Sequence, residues 1–399
     1  MKVLYSATVL ALAGFGAVTA SGIDWPRWRG PELNGISREK GWQAQWPADG
    51  PKQLWQASVG TGFSSFSVKD GRVYTMGNEN DTDTTFCLDA RTGKVLWRHS
   101  YPCPLDAKNF EGGPCATPTV ADGRVYTHSR KGDTYCLDAE KGTVIWSKNL
   151  NTELGLAIPR WGSAGSVLIQ GKLAVLNMGS AGVALDKDTG KVVWVSDKTV
   201  GAYATPVPLV LNGERYVAIL TRQSLALVKL ADGREAWSYP WKTSYDVNAA
   251  DPIVDGDRIF ISSGYNHGGA LLKVTAAGAE KVWENKNMRN HFNSCVLWDG
   301  HLYGPDDGGL RCLVFDTGEL KWTYKEFGKG SLMVADGKLV ALSEKGELII
   351  ARPSPAAFEP ISRAKVLTGK CWTTPVLANG RIYCRNAVGD VVCLDVGGR

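Results

Sequence analysis

The stretch Cys87-Leu88-Asp89-Ala90-Arg91-Thr92-Gly93-Lys94-Val95-Leu96-Trp97, preceded by Asp70-Gly71-Arg72-Val73-Tyr74, decides the architecture because it recurs. The Asp/Asn-Gly turn or its variant returns at Gly123, Gly171, Gly213, Gly256, Gly300, Gly337 and Gly380, and the Trp returns at Trp146, Trp194, Trp237, Trp283 and Trp322. A spacing of about 44 residues held along the chain marks stacked supersecondary units. The second unit shows the grammar of one repeat. Apolar runs at Thr117 to Ala121, Arg124 to Ser129, Thr134 to Ala139 and Thr143 to Lys148 are separated by Asp122-Gly123, Lys131-Gly132-Asp133 and Glu140-Lys141-Gly142. Short β-branched or aromatic runs between Gly/Asp turns read as antiparallel strands joined by tight hairpins.

Four strands per unit of roughly 40 to 50 residues is the pattern of a propeller blade. Counting the turn phrase gives eight units, so the fold class expected is all-β, an eight-bladed β-propeller. The last unit, through Gly389-Asp390-Val391-Val392-Cys393-Leu394-Asp395, has a third strand and no fourth; Lys52 to Ser58, with Trp55, resembles the missing one. Pairing the two closes the ring and removes open sheet edges. Trp55 is therefore expected in blade eight.

Residues 1–20 read as a cleaved secretory signal: Met1-Lys2, an apolar run from Val3 to Val18, then Ala17-Val18-Thr19-Ala20. A spanning helix would need about 20 apolar residues, and the first cysteine is Cys87, so a soluble periplasmic or secreted protein without a lipid anchor is expected. Residues 21–51, with Trp25, Trp28, Trp42 and Trp46, read as an extended strap packed on the ring, and residues 52–399 as the propeller. A net charge of +5 over 399 residues, dispersed among turns, argues against nucleic acid as a partner. Of nine cysteines, Cys87, Cys136, Cys312 and Cys393 share one repeat position, where a small buried residue is wanted. Cys103 and Cys115 form the one sequence-local pair among the rest, with connectivity left open. Asn78 to Asp83 alternates oxygen donors but lacks the Gly and terminal Glu of a calcium loop, and reads as a solvated hairpin.

The phrase small residue-x-Asp-x-x-Thr-Gly-x-x-x-Trp, met at Cys87 to Trp97 and Ala184 to Trp194 and nearly met at Cys136 to Trp146, resembles the tryptophan-docking repeat of bacterial PQQ (pyrroloquinoline quinone) propellers. The resemblance covers nearly all of the mature chain and implies that each Trp stacks between neighbouring blades. Unit seven departs from it, offering Phe358 or Ile361 where Trp belongs. One branch of the family, the quinoprotein alcohol dehydrogenases, holds PQQ and calcium in the central funnel; another, BamB-like, keeps the repeat without the cofactor. The eight-bladed dehydrogenases carry a vicinal Cys-Cys pair, and this chain has none.

In a ring, the loops before the innermost strands converge on one mouth of the channel. Ser65, Thr117, Thr205, Asp251, Ser294, Ser331 and Thr374 lie at its edge and are expected to satisfy inner-strand backbone groups. The loops carry more cations and aromatics than turns require. Arg160, Arg289, Lys329 and Lys370 would attract an anion, Trp161 and Trp372 would offer stacking faces, and Asp246, Asn248, Asn290 and Asn293 would supply oxygen ligands or hydrogen bonds. His291 is the best candidate general base, with a pKa expected near neutrality, and Asp246 is the other. The bland alternative is that cations and carboxylates pair across a wet funnel and bind nothing.

The leading expectation is an exported, non-catalytic binding or scaffold module, without a cofactor, whose funnel mouth takes a protein partner or an anionic small ligand. The runner-up, implied by the resemblance, is a PQQ-dependent alcohol or sugar dehydrogenase. Arg289 and Lys370 would hold the quinone carboxylates, Asp246 and Asn248 the calcium, and Asp246 or His291 would be the base. A carbohydrate-binding propeller using exposed Trp residues is the third. No zinc spacing or nucleophile elbow is present.

Overall fold

The sheets form a closed ring. A computed structural model describes residues 23–398, so the leader and cleavage site expected from the sequence lie outside the described residues. Eight sheets stand around the ring, seven of four antiparallel strands and one, blade seven, with a fifth. Blade two runs Thr119–Ala121, Arg124–His128, Asp133–Asp138 and Val144–Asn149, within a residue or two of the sequence reading. Among the described residues helix is confined to Leu150–Leu154 and a 3-10 turn at Lys325–Phe327. Asp70-Gly71 and Asp122-Gly123 both have two residues at positive φ, the mirror-image turn whose twist matches antiparallel strands. Blade eight is completed by Gln53–Ser58, which pairs with Asp390–Asp395 and sets Trp55 opposite Cys393.

Each residue of the repeat phrase has a physical task. The Asp89 carboxylate accepts hydrogen bonds from the Thr92 amide and hydroxyl, both at 2.7 Å, and from the Arg91 amide at 3.1 Å. Those bonds hold the turn and keep the carboxyl below its ordinary pKa. Gly93, at φ +71°, then presents a bare backbone: a Cβ there would meet the Trp55 ring at 2.6 Å. Trp55 comes from blade eight, lies on that glycine and donates its indole N–H to the Ala90 carbonyl at 3.0 Å. The same bond joins Trp97 to Ala139, Trp146 to Lys187, Trp194 to Leu230, Trp237 to Thr275, Trp283 to Phe315 and Trp322 to Ser354, at 2.8 to 3.0 Å. Cys87, Cys136, Cys312 and Cys393 stand directly across the strand pair from Trp97, Trp146, Trp322 and Trp55, so the small residue leaves room for the indole. All nine cysteines are free thiols, Cys103 and Cys115 included.

Two expectations need correction. In blade seven neither Phe358 nor Ile361 takes the Trp position; the register puts Ser362 there, opposite Ile350, while Phe358 packs on Trp322 and Tyr324. The hairpin from Asn78 to Asp83 is not solvated throughout, because Asn78 and Asp83 are buried and bonded to each other at 2.6 Å. Burial holds the Asp83 carboxyl up to about 6.

Residues 24–39 run across the turn ends of the inner strands. Trp25 pairs with Val68, the Pro26 carbonyl accepts from Val120, Ile36–Ser37 adds in parallel to Ser331–Ala335, and the Glu39 carboxylate takes the amides of Asn379 and Gly380. This segment closes one end of the channel. The other end stays open as a funnel.

Candidate functional site

At the edge of the channel, hydroxyls and one carboxylate form a belt. The amides of Ser65, Thr117, Ser166, Thr205 and Asp251 donate to the side-chain oxygens of Thr117, Ser166, Thr205, Asp251 and Ser294, each on the next blade, at 2.7 to 3.0 Å. Six blades are thus linked amide to side chain. Ser166 was absent from the sequence reading, and Ser331, which was included, leaves its hydroxyl without a partner. Asp251 is the belt's one acid. Its second oxygen accepts the Trp28 indole N–H at 2.5 Å, and the buried Arg29 guanidinium stands 4.0 Å away. Burial raises the carboxyl's pKa against the pull of Arg29.

Above the belt lies a cavity of about 610 Å³. Trp28, from the N-terminal segment, contributes to its lining at belt level. Seven of the eight inter-blade loops each bring one aromatic residue to the wall: Phe63, Phe110, Trp161, Tyr203, Tyr245, Phe292 and Trp372. Contacts run around the mouth from Trp161 to Phe110 (6.4 Å between centroids), Phe63 (5.7 Å), Trp372 (5.6 Å), Phe292 (4.7 Å) and His291 (5.2 Å), then Tyr265 (4.6 Å) and Tyr245 (4.8 Å). Tyr265 reaches this collar from a backbone at φ +54°, a left-handed conformation costly for a bulky residue.

Of the residues selected from sequence, Arg160, Trp161, His291, Asn293, Lys329 and Trp372 line the cavity. Arg160 lies over the Trp161 ring at 5.1 Å. Lys329 Nζ sits 3.1 Å from His291 Nδ1 and 5.8 Å from the Trp372 ring. Neither cation forms an ion pair among the described residues. Burial first, and Lys329 second, lower the His291 pKa to about 4, so the expected near-neutral base is instead a neutral imidazole that accepts from lysine.

The remaining five are committed elsewhere. Asp246 is bound by Arg222 at 2.5 Å and Gln223 at 3.2 Å. Asn248 is fully buried, its amide donating to the Thr221, Arg222 and Trp241 carbonyls while its oxygen accepts from Ser263. Arg289 forks onto Asp306 at 2.7 and 2.9 Å. Buried Asn290 donates to the Pro305 carbonyl. Lys370 pairs with Glu111 at 2.8 Å while lying 4.2 Å from the centre of the Trp372 ring. Trp372 is flanked by Phe63, Phe292 and Lys370, and its indole N–H donates to the Glu344 carboxylate at 2.8 Å.

The residues expected to hold calcium and a quinone are engaged within the protein. The proposed calcium ligands Asp246 and Asn248 and the proposed carboxylate anchors Arg289 and Lys370 all have protein partners. Asp251, the one carboxylate on the wall, serves Thr205, Trp28 and Arg29. Among the described residues no cluster of three His, Cys, Asp or Glu side chains could hold a metal.

The cavity residues missed by sequence selection, Phe63, Phe110 and Tyr203 among them, had a usable signal: one aromatic per loop shortly before the inner strand. Isolated aromatics in loops carry little weight until the ring brings them together.

The comparisons with known proteins agree with this fold. The chain is 26% identical over 324 residues to the outer membrane protein assembly factor BamB of Salmonella typhimurium, covering 75% of this chain and 76% of that protein. It is 23% identical over 256 residues to the quinoprotein alcohol dehydrogenase PedH of Pseudomonas putida, covering 63% of this chain and 32% of that enzyme. The crystal structure of BamB from Moraxella catarrhalis superposes with a TM-score of 0.63 at 16% identity, over 86% of this chain and 99% of that one. The model of the family described as outer membrane protein assembly factor BamB matches residues 37–157 and 104–324, and the chain belongs to that family of PQQ-like β-propellers.

Proposed function

We propose that the protein is a non-catalytic scaffold or binding module of the bacterial envelope, exported to the periplasm, and that it engages a protein partner or an anionic group at the funnel mouth. The relatives named as outer membrane assembly factors support the scaffold reading and the location. The observation that carries the site is the pairing of an aromatic collar with two cations, Arg160 and Lys329, that form no ion pair among the described residues, although the Glu344 carboxylate takes the Lys329 amide and the Trp372 indole nearby. A carboxylate arriving there regains the charge partner that the protein withholds, while its apolar remainder covers aromatic surface. Tyr265, held at a conformational cost with its ring in the collar, points the same way, since such strain persists where surrounding structure and use require it.

The test is photo-cross-linking in the living cell from an amino acid placed at position 245 on the rim, with position 193 on an outer strand as control. Adducts from 245 that vanish in Arg160→Glu/Lys329→Glu, while the variant stays folded, are expected. Adducts equal at both positions, or indifferent to the charge reversal, would remove the funnel from the account. Purified protein given PQQ and calcium is expected to reduce no dye with alcohols or sugars.

A further inference from the structure

Every interface between blades is closed by an indole belonging to the ring, except that between blades seven and eight. There Ser362 holds the register that Trp97 holds in blade one. Trp55 and Trp97 donate to Ala90 and Ala139, each three residues beyond the cysteine of the receiving blade's third strand; the matching carbonyl of blade eight is that of Val396, three beyond Cys393. No side chain of blade seven takes it. The amide of Gln43 does, at 2.7 Å, and the chain continues as a ligand would: the Ala44 carbonyl accepts from the Ser362 hydroxyl at 2.5 Å, and the Trp46 indole donates to the Arg363 carbonyl at 3.3 Å. Burial alternates along the segment, with Trp42, Ala44 and Trp46 inward and Gln43 and Gln45 exposed, the two-residue period of an extended strand laid on a surface. The three inward side chains join the apolar cluster that contains Leu348, Ile350 and Leu394.

We propose that the seam between blades seven and eight is a peptide-acceptor site for an extended segment of the form Trp-x-Ala-x-Trp, and that residues 41–46 of the same chain occupy it. The recognition is chemically specific. A carbonyl on blade eight takes a backbone N–H, a hydroxyl on blade seven donates to a carbonyl one residue later, and two indoles four residues apart pack into the apolar cluster that spans the two blades. The seam is then the one interface whose closing element can be exchanged without altering the ring.

Two variants of the full-length chain test this. Ser362→Trp refills the seat from within the ring, so hydrogen exchange at the amides of residues 42–46 is expected to quicken at least tenfold, the factor that about 1.4 kcal/mol represents. Gln43→Pro deletes the N–H that Val396 accepts, and a labelled synthetic peptide spanning residues 40–47 is expected to bind that variant at least about tenfold more tightly than the wild type, whose site is filled. Unchanged protection at residues 42–46 in Ser362→Trp overturns the proposal. So does a peptide that fails to distinguish Gln43→Pro from the wild type.

Discussion

The seams on either side of blade eight are closed by different means. Between blades eight and one, Trp55 and its glycine seat do the work, and the fully buried Arg385 adds bonds to the Ser64, Met76 and Gly60 carbonyls. Between blades seven and eight, the Trp position holds a serine and the gap is covered by a segment more than 300 residues away in sequence. The first kind of closure is local: Asp, Thr, Gly and Trp within one phrase make the donor of one blade and the seat for its neighbour. The second is borrowed and needs the N-terminal segment in place. What separates them is how much each should lose when one group is removed.

The largest effect is expected at a well-buried docked indole. Trp97→Ala leaves a cavity and an exposed glycine seat and takes one of two donors from the Ala139 carbonyl, which keeps the Tyr74 hydroxyl, and should cost about 3–5 kcal/mol in denaturant unfolding. Trp237, half-buried and with its N–H bond at the surface, should cost visibly less, about half. Equal losses would break the distinction between deep and shallow docks.

At the mouth, two arginines chosen on the same grounds should part company. Arg289→Ala strips a partner from buried Asp306, which retains Arg311 at 3.1 Å, so a stability loss of about 1–2 kcal/mol is expected with no change in partner cross-linking. Arg160→Ala should leave stability within about 0.5 kcal/mol and weaken cross-linking. The reverse result would exchange their roles.

At the borrowed seam, Ser362→Ala removes one hydrogen bond and should cost about 1 kcal/mol. The loss should fall to nothing in a Gln43→Pro background, where the segment is already loosened.

The smallest effect is on protonation. The His291 imidazole should titrate near pH 4 by NMR, well below its ordinary 6.5, and Lys329→Ala should raise the midpoint only partway because burial is the larger cause. His128, buried among blade neighbours, is likewise pushed down to about 4. Between pH 6.5 and 4 the unfolded chain takes up protons at both imidazoles that the fold refuses, so acidification there destabilises the protein through them. Asp83, which holds its proton up to about 6 where the unfolded chain releases it near 3.8, opposes that trend by one group.

The ring was legible because its code is local. Asp89 to Gly93 fixes a turn, Cys87 makes room for Trp97, and their recurrence counts the blades. The blade-eight partnership of Trp55 was legible for the same reason, since a strand was missing at one end and spare at the other. The site was half legible. Arg160, Lys329, His291, Asn293, Trp161 and Trp372 were found by asking which loops carry groups that turns do not need. Arg289, Asp246, Asn248 and Asn290 answered the same question and turned out to hold loops in place, because their partners Asp306, Arg222, Thr221 and Pro305 lie 15 to 27 residues away across hairpins. The seat for residues 41–46 was not legible, because a missing Trp at position 362 says nothing about what replaces it.

Site-resolved hydrogen exchange on the unaltered protein tests most directly the claim that one seam is held by a borrowed strand. The account predicts that the strands Glu359–Lys365 and Asp390–Asp395 on either side of it exchange through a lower-energy opening than Val95–Pro102 and Asp133–Asp138, which flank the Trp97 dock. Equal protection at both seams, or an earlier opening at the Trp97 dock, would contradict it.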